Sequence, residues 1–250
     1  MASTAAQPTD RQYASAALSG RRYDHFFFSG MALLLLAIVF VGFAPTYYLA
    51  GLLHAPLPSR IIHIHAAVFT CWILLFVAQV SLVSAHRVDM HRRLGVIGFL
   101  LASAMVVIGL MAATDSLARN FPPGRDALFF YVVPTSNMLV FGVLMAFAYR
   151  TRTNPAAHKR LILIATSGLT VAAINRWPIA LVHHNVFAAT RVSYLFVLLL
   201  VAYDFWSTCR IHRATLWASA FLVLVFEIRF LVAKTMAWHV FAAWIRSKLS

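Results

Sequence analysis

The sequence predicts an all-α bundle of about seven membrane-spanning helices with a cytoplasmic N-terminus. Three observations carry that expectation. Of the 250 residues 62% are hydrophobic and only 11% are charged, at a mean hydropathy of +0.79, which leaves too little polar surface to cover a water-soluble globule. Seven apolar runs recur along the chain, each near the roughly 20 residues of helix that cross a hydrocarbon core about 30 Å thick. Basic residues crowd every second connection between these runs, and such bias sets the orientation of a multi-pass chain.

Residues 1–24 are rich in Ala, Ser and Thr, carry Arg11, Arg21 and Arg22, and read as a disordered cytoplasmic tail before a single helical membrane domain at 25–250. Arg21 and Arg22 stand ahead of Phe26, Phe27 and Phe28 much as in a twin-arginine export signal. The apolar run to Leu53 is far longer than the roughly 7–15 residues of a signal h-region, so it reads as an uncleaved first span. Pro56 and Pro58 mark a loop, after which the second span covers about 66–84 and the third about 94–113. Pro122-Pro123-Gly124 is a turn signal before a fourth span at about 127–148. The fifth, about 161–182, is interrupted by Asn175-Arg176-Trp177-Pro178; the sixth covers about 192–209 and the seventh about 214–240.

Seven spans put the termini on opposite faces, and the charges distinguish the faces. The tail and the even-numbered connections hold twelve cations (Arg11, Arg21, Arg22, Arg87, Arg92, Arg93, Arg150, Arg152, Lys159, Arg160, Arg210 and Arg213). The odd connections hold four, Arg60, Arg119, Arg125 and Arg191. By the positive-inside rule the N-terminus is cytoplasmic, in a bacterial inner (plasma) membrane. The net charge of +14 therefore points to anionic lipids and not to nucleic acid, and a membrane-protein partner or a second copy of the chain stays open. Cys71 and Cys209 fall in opposite leaflets and cannot form a disulfide within one chain. Trp238 and Trp244, and Tyr47 and Tyr48, fit interfacial belts.

The stretch His63 to Gly95 organises the chain. It opens with His63-Ile64-His65, crosses an uncharged run, and closes on His86-Arg87-Val88-Asp89-Met90-His91-Arg92-Arg93-Leu94-Gly95. A weak repeat follows: His91-Arg92-Arg93-Leu94 opens the third span and His158-Lys159-Arg160-Leu161 opens the fifth. Cations at a helix N-terminus are mildly unfavourable unless an anion joins them. Each turn is therefore a candidate anion site in which Arg92, Arg93, Lys159 and Arg160 hold a lipid phosphate or a haem propionate.

A bilayer of about 30 Å separates the histidines into two groups. The inner group is His91 and His158, with His86, His212 and His25 as lesser candidates. The outer group, His63, His65, His183 and His184 with His54 and His239 nearby, is a candidate metal-ligand set, since imidazole suits Zn, Cu and Fe.

The segment from His65 through Gly95, a histidine opening an apolar helix that ends on His-Arg-Arg-Leu-Gly, resembles a pattern of small bacterial polytopic membrane proteins. More remotely it is similar to the haem-binding helix pairs of b-type membrane cytochromes and ferric-reductase-like proteins. The resemblance covers about residues 61–100 with an echo at 156–165. It implies bis-histidine ligation of haem b and electron transport; the chain departs from the cytochrome pattern in having no paired histidines in mid-membrane.

Charges inside spans are costly and usually face the bundle interior. Arg176 lies fifteen residues beyond Leu161 and Glu227 thirteen beyond Ala214, about 22 and 20 Å along two helices rising from the same face. A buried Arg176–Glu227 ion pair is expected, with Arg229 as the alternative partner and Asn137 within reach. Asp204 is placed to orient His158 or to pair with Lys159 or Arg160. The chain has no phosphate loop, dinucleotide fingerprint, nucleophile elbow or His-Glu-x-x-His motif. Three function classes stay open: a haem- or metal-binding redox protein, a non-enzymatic assembly factor or accessory subunit, and a small proton-coupled transporter using Arg176, Glu227 and Asp204.

Overall fold

The computed structural model describes residues 10–54, 58–121, 124 and 126–249, with side chains from Tyr23 onward. The expected tail at 1–9, Pro56, the Pro122-Pro123 pair, Arg125, and the side chains of Arg11, Arg21 and Arg22 lie outside the described residues. Among the described residues every regular element is helical: α1 (Asp10–Phe43), a π-helical turn (Ala44–Tyr48), α2 (Arg60–Ser84), α3 (Val88–Ala118), α4 (Ala127–Phe130), α5 (Val132–Arg150), α6 (Pro155–Leu169), α7 (Val171–Ile174), α8 (Val186–Thr208), α9 (Arg213–Val232) and α10 (Met236–Ser247). Seven stretches are long and apolar enough to cross a membrane, with α4–α5 forming the fourth and α6–α7 the fifth.

Local chemistry sets the helix ends. Asn154 accepts from the Ala157 N–H at 3.2 Å and Pro155 opens α6, where a missing N–H costs nothing. Asn185 accepts from the Ala188 N–H at 3.1 Å, and Asp126 from the Leu128 N–H at 2.9 Å. These ends revise the bounds of two spans. Helix α1 begins at Asp10, so the segment 10–24 runs into the first span as helix; its alanines are strong helix formers. The fifth span is Pro155–Ile174 and stops well short of residue 182, because Pro178 disfavours helix at the residue before it. The seventh stops at Val232; the Thr235 hydroxyl then caps a separate amphipathic helix, α10, which packs against α3 and α4. Trp238 fastens α10 by donating from Nε1 to the Leu128 carbonyl at 2.8 Å.

The fifth span is the axis of the bundle. It packs on α1, α5, α8 and α9, and 72% of its membrane segment is buried against 17% for the second span. Its residues suit that place: Ser167 donates to the Leu163 carbonyl and Thr170 to the Ser167 carbonyl, both at 2.7 Å, so their hydroxyls are satisfied within the helix. Trp72 Nε1 donates to Thr166 Oγ1 at 3.3 Å, tying α2 to this axis. Where α1 crosses α7, a Cβ on Gly42 would meet the Ala173 carbonyl oxygen at 2.4 Å, so only glycine lets the two backbones approach.

Candidate cofactor site at the basic face

The two helix starts that repeat in the sequence meet in the structure. His91 lies one turn into α3 and His158 one turn into α6, and their rings stand 6.4 Å apart between centroids, nearly perpendicular at 85°. His158 holds its Nδ1 2.9 Å from the Ala148 carbonyl, so Nδ1–H donates and the Nε2 lone pair is left for another partner. Gln79 of α2 fixes His91: its amide nitrogen donates to His91 Nδ1 at 2.7 Å and to the His91 carbonyl at 3.2 Å, while its oxygen accepts from the Gly95 N–H at 3.0 Å. Phe99 closes one side, 6.2 Å from His158 and 5.0 Å from Tyr149. Gln79 escaped the sequence reading. Its signal is slight, a lone amide in an apolar run.

Around this pair the basic residues divide. Arg92 and Arg93 are exposed. Lys159 is ion-paired with Asp24 at 2.7 Å, and Tyr203 donates to the same carboxylate at 2.7 Å. Arg160 is buried and lays its Nε and Nη2 edge on Asp204, with Nε at 2.9 Å from Oδ1. Asp204, fully buried, also accepts from the His212 N–H at 3.1 Å and from the Thr215 hydroxyl. Lys159 and Arg160 are therefore matched by carboxylates of the chain itself: the fold brings Asp24 and Asp204 to the same end of the bundle, and a buried cation takes a carboxylate within reach.

His212 ends this network. Its Nδ1 accepts from the Ala214 N–H at 3.1 Å and caps α9, and burial first, then the charge on Arg160, lowers its basicity below the usual histidine range. His25 and His86 pack edge to face at 5.7 Å, apart from the His91 and His158 pair.

The outer four histidines do not assemble. His63 packs beside Tyr47, 5.7 Å between centroids, and His65 lies over Phe69 at 4.0 Å. His183 and His184 sit side by side at 4.0 Å on the loop after α7, where His183 Nδ1 is 3.0 Å from the Trp177 carbonyl and the His184 N–H donates to the Asn175 carbonyl. Among the described residues no three His, Cys, Asp or Glu side chains are placed to hold a metal ion. The early end of the fifth span puts His183 and His184 on an exposed loop folded back on itself.

That same break undoes the expected Arg176–Glu227 pair. Arg176 falls beyond the last helical residue, donates back to the Ala172 carbonyl at 2.6 Å and lies over the Phe43 ring at 4.7 Å. Glu227 accepts from the Tyr194 hydroxyl at 2.9 Å and lies 3.7 Å from Arg191. Asn137 instead accepts from Arg229 at 2.8 Å. Arg176, Glu227 and Asp204 thus sit in three separate networks.

Fold and site together define a multi-pass α-helical membrane protein with a fixed histidine pair at its arginine-rich face. Compared with protein-family models, with curated proteins and with solved structures, the chain matches none.

Proposed function

We propose that the chain is a redox protein of the bacterial inner membrane that holds a b-type haem between His91 and His158. The observation that carries this reading is the pair itself: two imidazoles from different spans, 6.4 Å apart, with Nδ1 of each engaged and Nε2 remaining. Zinc and copper sites draw three or four ligands from the protein. Two histidines from different spans would hold a group that supplies the rest of its own coordination, as a haem does. Bound there, haem would supply one-electron transfer.

The chain's own part is to hold and orient. Ala148 keeps His158 in the tautomer that would ligate through Nε2, whereas Gln79, by donating to His91 Nδ1, leaves the His91 proton on Nε2, a proton that ligation there would release. Arg92 and Arg93 are the cations left to meet propionates. The test is an absorption spectrum of protein purified in detergent from cells supplied with a haem precursor, oxidised and then reduced with dithionite. A Soret band that shifts on reduction and is lost in His91→Ala and in His158→Ala supports the reading; a chain that stays colourless when haem is added overturns it.

A further inference from the structure

We propose a second site, at the opposite face of the bundle, in which Arg229 binds the carboxylate of a small ligand with an apolar body. Arg229 is 2% exposed and in the last turn of α9. Side chains on a helix lean toward its N-terminus, so the guanidinium reaches back into the bundle. There it touches only neutral oxygens: Nη1 donates to Asn137 Oδ1 at 2.8 Å and to Ser136 Oγ at 3.3 Å, and Nη2 to Thr190 Oγ1. Phe226 and Phe230 lie against its faces, 4.2 and 4.9 Å from the guanidinium carbon to the ring centroids. None of the described carboxylates forms an ion pair with it, and its Nε, buried, has no hydrogen-bond partner. Nε–H and the second Nη2 hydrogen share one edge of the guanidinium, the edge that grips a carboxylate in two parallel hydrogen bonds.

The molecule contains its own template for that grip. Arg160, the other buried guanidinium, lays this same edge on Asp204. At Arg229 the Nε of that edge is buried without a hydrogen-bond partner, and Glu227, two residues back on α9 and held by Tyr194 and Arg191, acts on the guanidinium through space without forming an ion pair with it. A ligand that satisfies the buried donor and pairs with the cation directly is an anion with two oxygens.

A route and a body for that ligand are adjacent. A cavity of about 480 Å³ opens between the start of α8 and α4, walled by Phe129, Phe130, Val186 and Phe187. Phe187 lies 4.2 Å from Phe230, the ring that covers Arg229, so a single aromatic pair separates the cavity from the guanidinium. Asp126 also stands on the wall, 3.9 Å from His239. The apolar wall selects an aryl or short alkyl body, and Arg229 selects its carboxylate. This site stands apart from the histidine pair and does not depend on haem.

The experiment is titration calorimetry on the full chain in detergent with benzoate and with benzamide, which is nearly the same in shape but uncharged. Saturable benzoate binding, with benzamide weaker by about tenfold or more, is expected. Arg229→Gln should abolish it, and Phe187→Trp, which narrows the cavity and leaves the guanidinium untouched, should weaken it. Absence of saturable benzoate binding to the unaltered chain, or equal binding of the two compounds, overturns the proposal even if Arg229→Gln does not fold; unchanged benzoate binding in a folded Arg229→Gln protein overturns it as well.

Discussion

Asp204 and Arg160 form the tightest polar knot in the chain, with side chains 0% and 6% exposed. Removing one member of such a pair strands the other, at a cost of about 3–5 kcal/mol, whereas replacing both with apolar groups of similar volume is often close to neutral. Arg160→Met alone should therefore lower thermal stability in detergent sharply, and Arg160→Met with Asp204→Leu should recover part of the loss; a double variant no better than the single would place the stability in Thr215 and His212 instead of the ion pair. His212 gives the network a pH signature. Its folded basicity is depressed, so the unfolded chain, with an ordinary histidine near 6.5, takes up the proton first as pH falls. The cap's contribution is complete above that value and declines below it. His212→Asn, which keeps a capping oxygen, should flatten stability between about pH 5 and 7; a slope unchanged by the substitution would assign it elsewhere.

At the scale of elements, close approach and helix ends decide the architecture. Gly42 faces the Ala173 backbone with no room for a Cβ, while Gly30, one face round on the same helix, has nothing within 4 Å. Gly42→Ala should destabilise by about 1–3 kcal/mol, and Gly30→Ala should be neutral or gain up to about 1 kcal/mol from helix propensity. Equal effects at both would mean that α1 does not press on α7 as described. The ends of α7 and α9 carry more. Each stops earlier than hydropathy alone suggests, and the residues beyond, Arg176 in one case and Trp238 in the other, turn back and fasten to their neighbours.

The whole molecule is a bundle with one charged rim, and its orientation follows from that rim. Cys209 is exposed at the end of α8 on the arginine-rich face, and Cys71 is exposed along α2 within a membrane span. If that face is cytoplasmic, a membrane-impermeant maleimide should label Cys209 in inverted vesicles and spare it in spheroplasts, and should leave Cys71 unlabelled in both. Labelling of Cys209 from the spheroplast side would reverse the topology.

Hydrophobicity and charge, read along the chain, determined the class of the molecule, its seven spans and the paired helix starts at His91 and His158. Those features are written locally, as runs of apolar residues long enough for a bilayer and as a short motif that occurs twice. The tertiary structure alone decided which polar groups meet. Asp24 looked like part of a tail and neutralises Lys159; Arg229 looked like a spare partner for Glu227 and is the buried cation held by Ser136, Asn137 and Thr190. Helical rise places a residue at a depth, but rotation about the helix axis and the choice of neighbour decide its contacts, and both arise from how seven helices pack around the fifth.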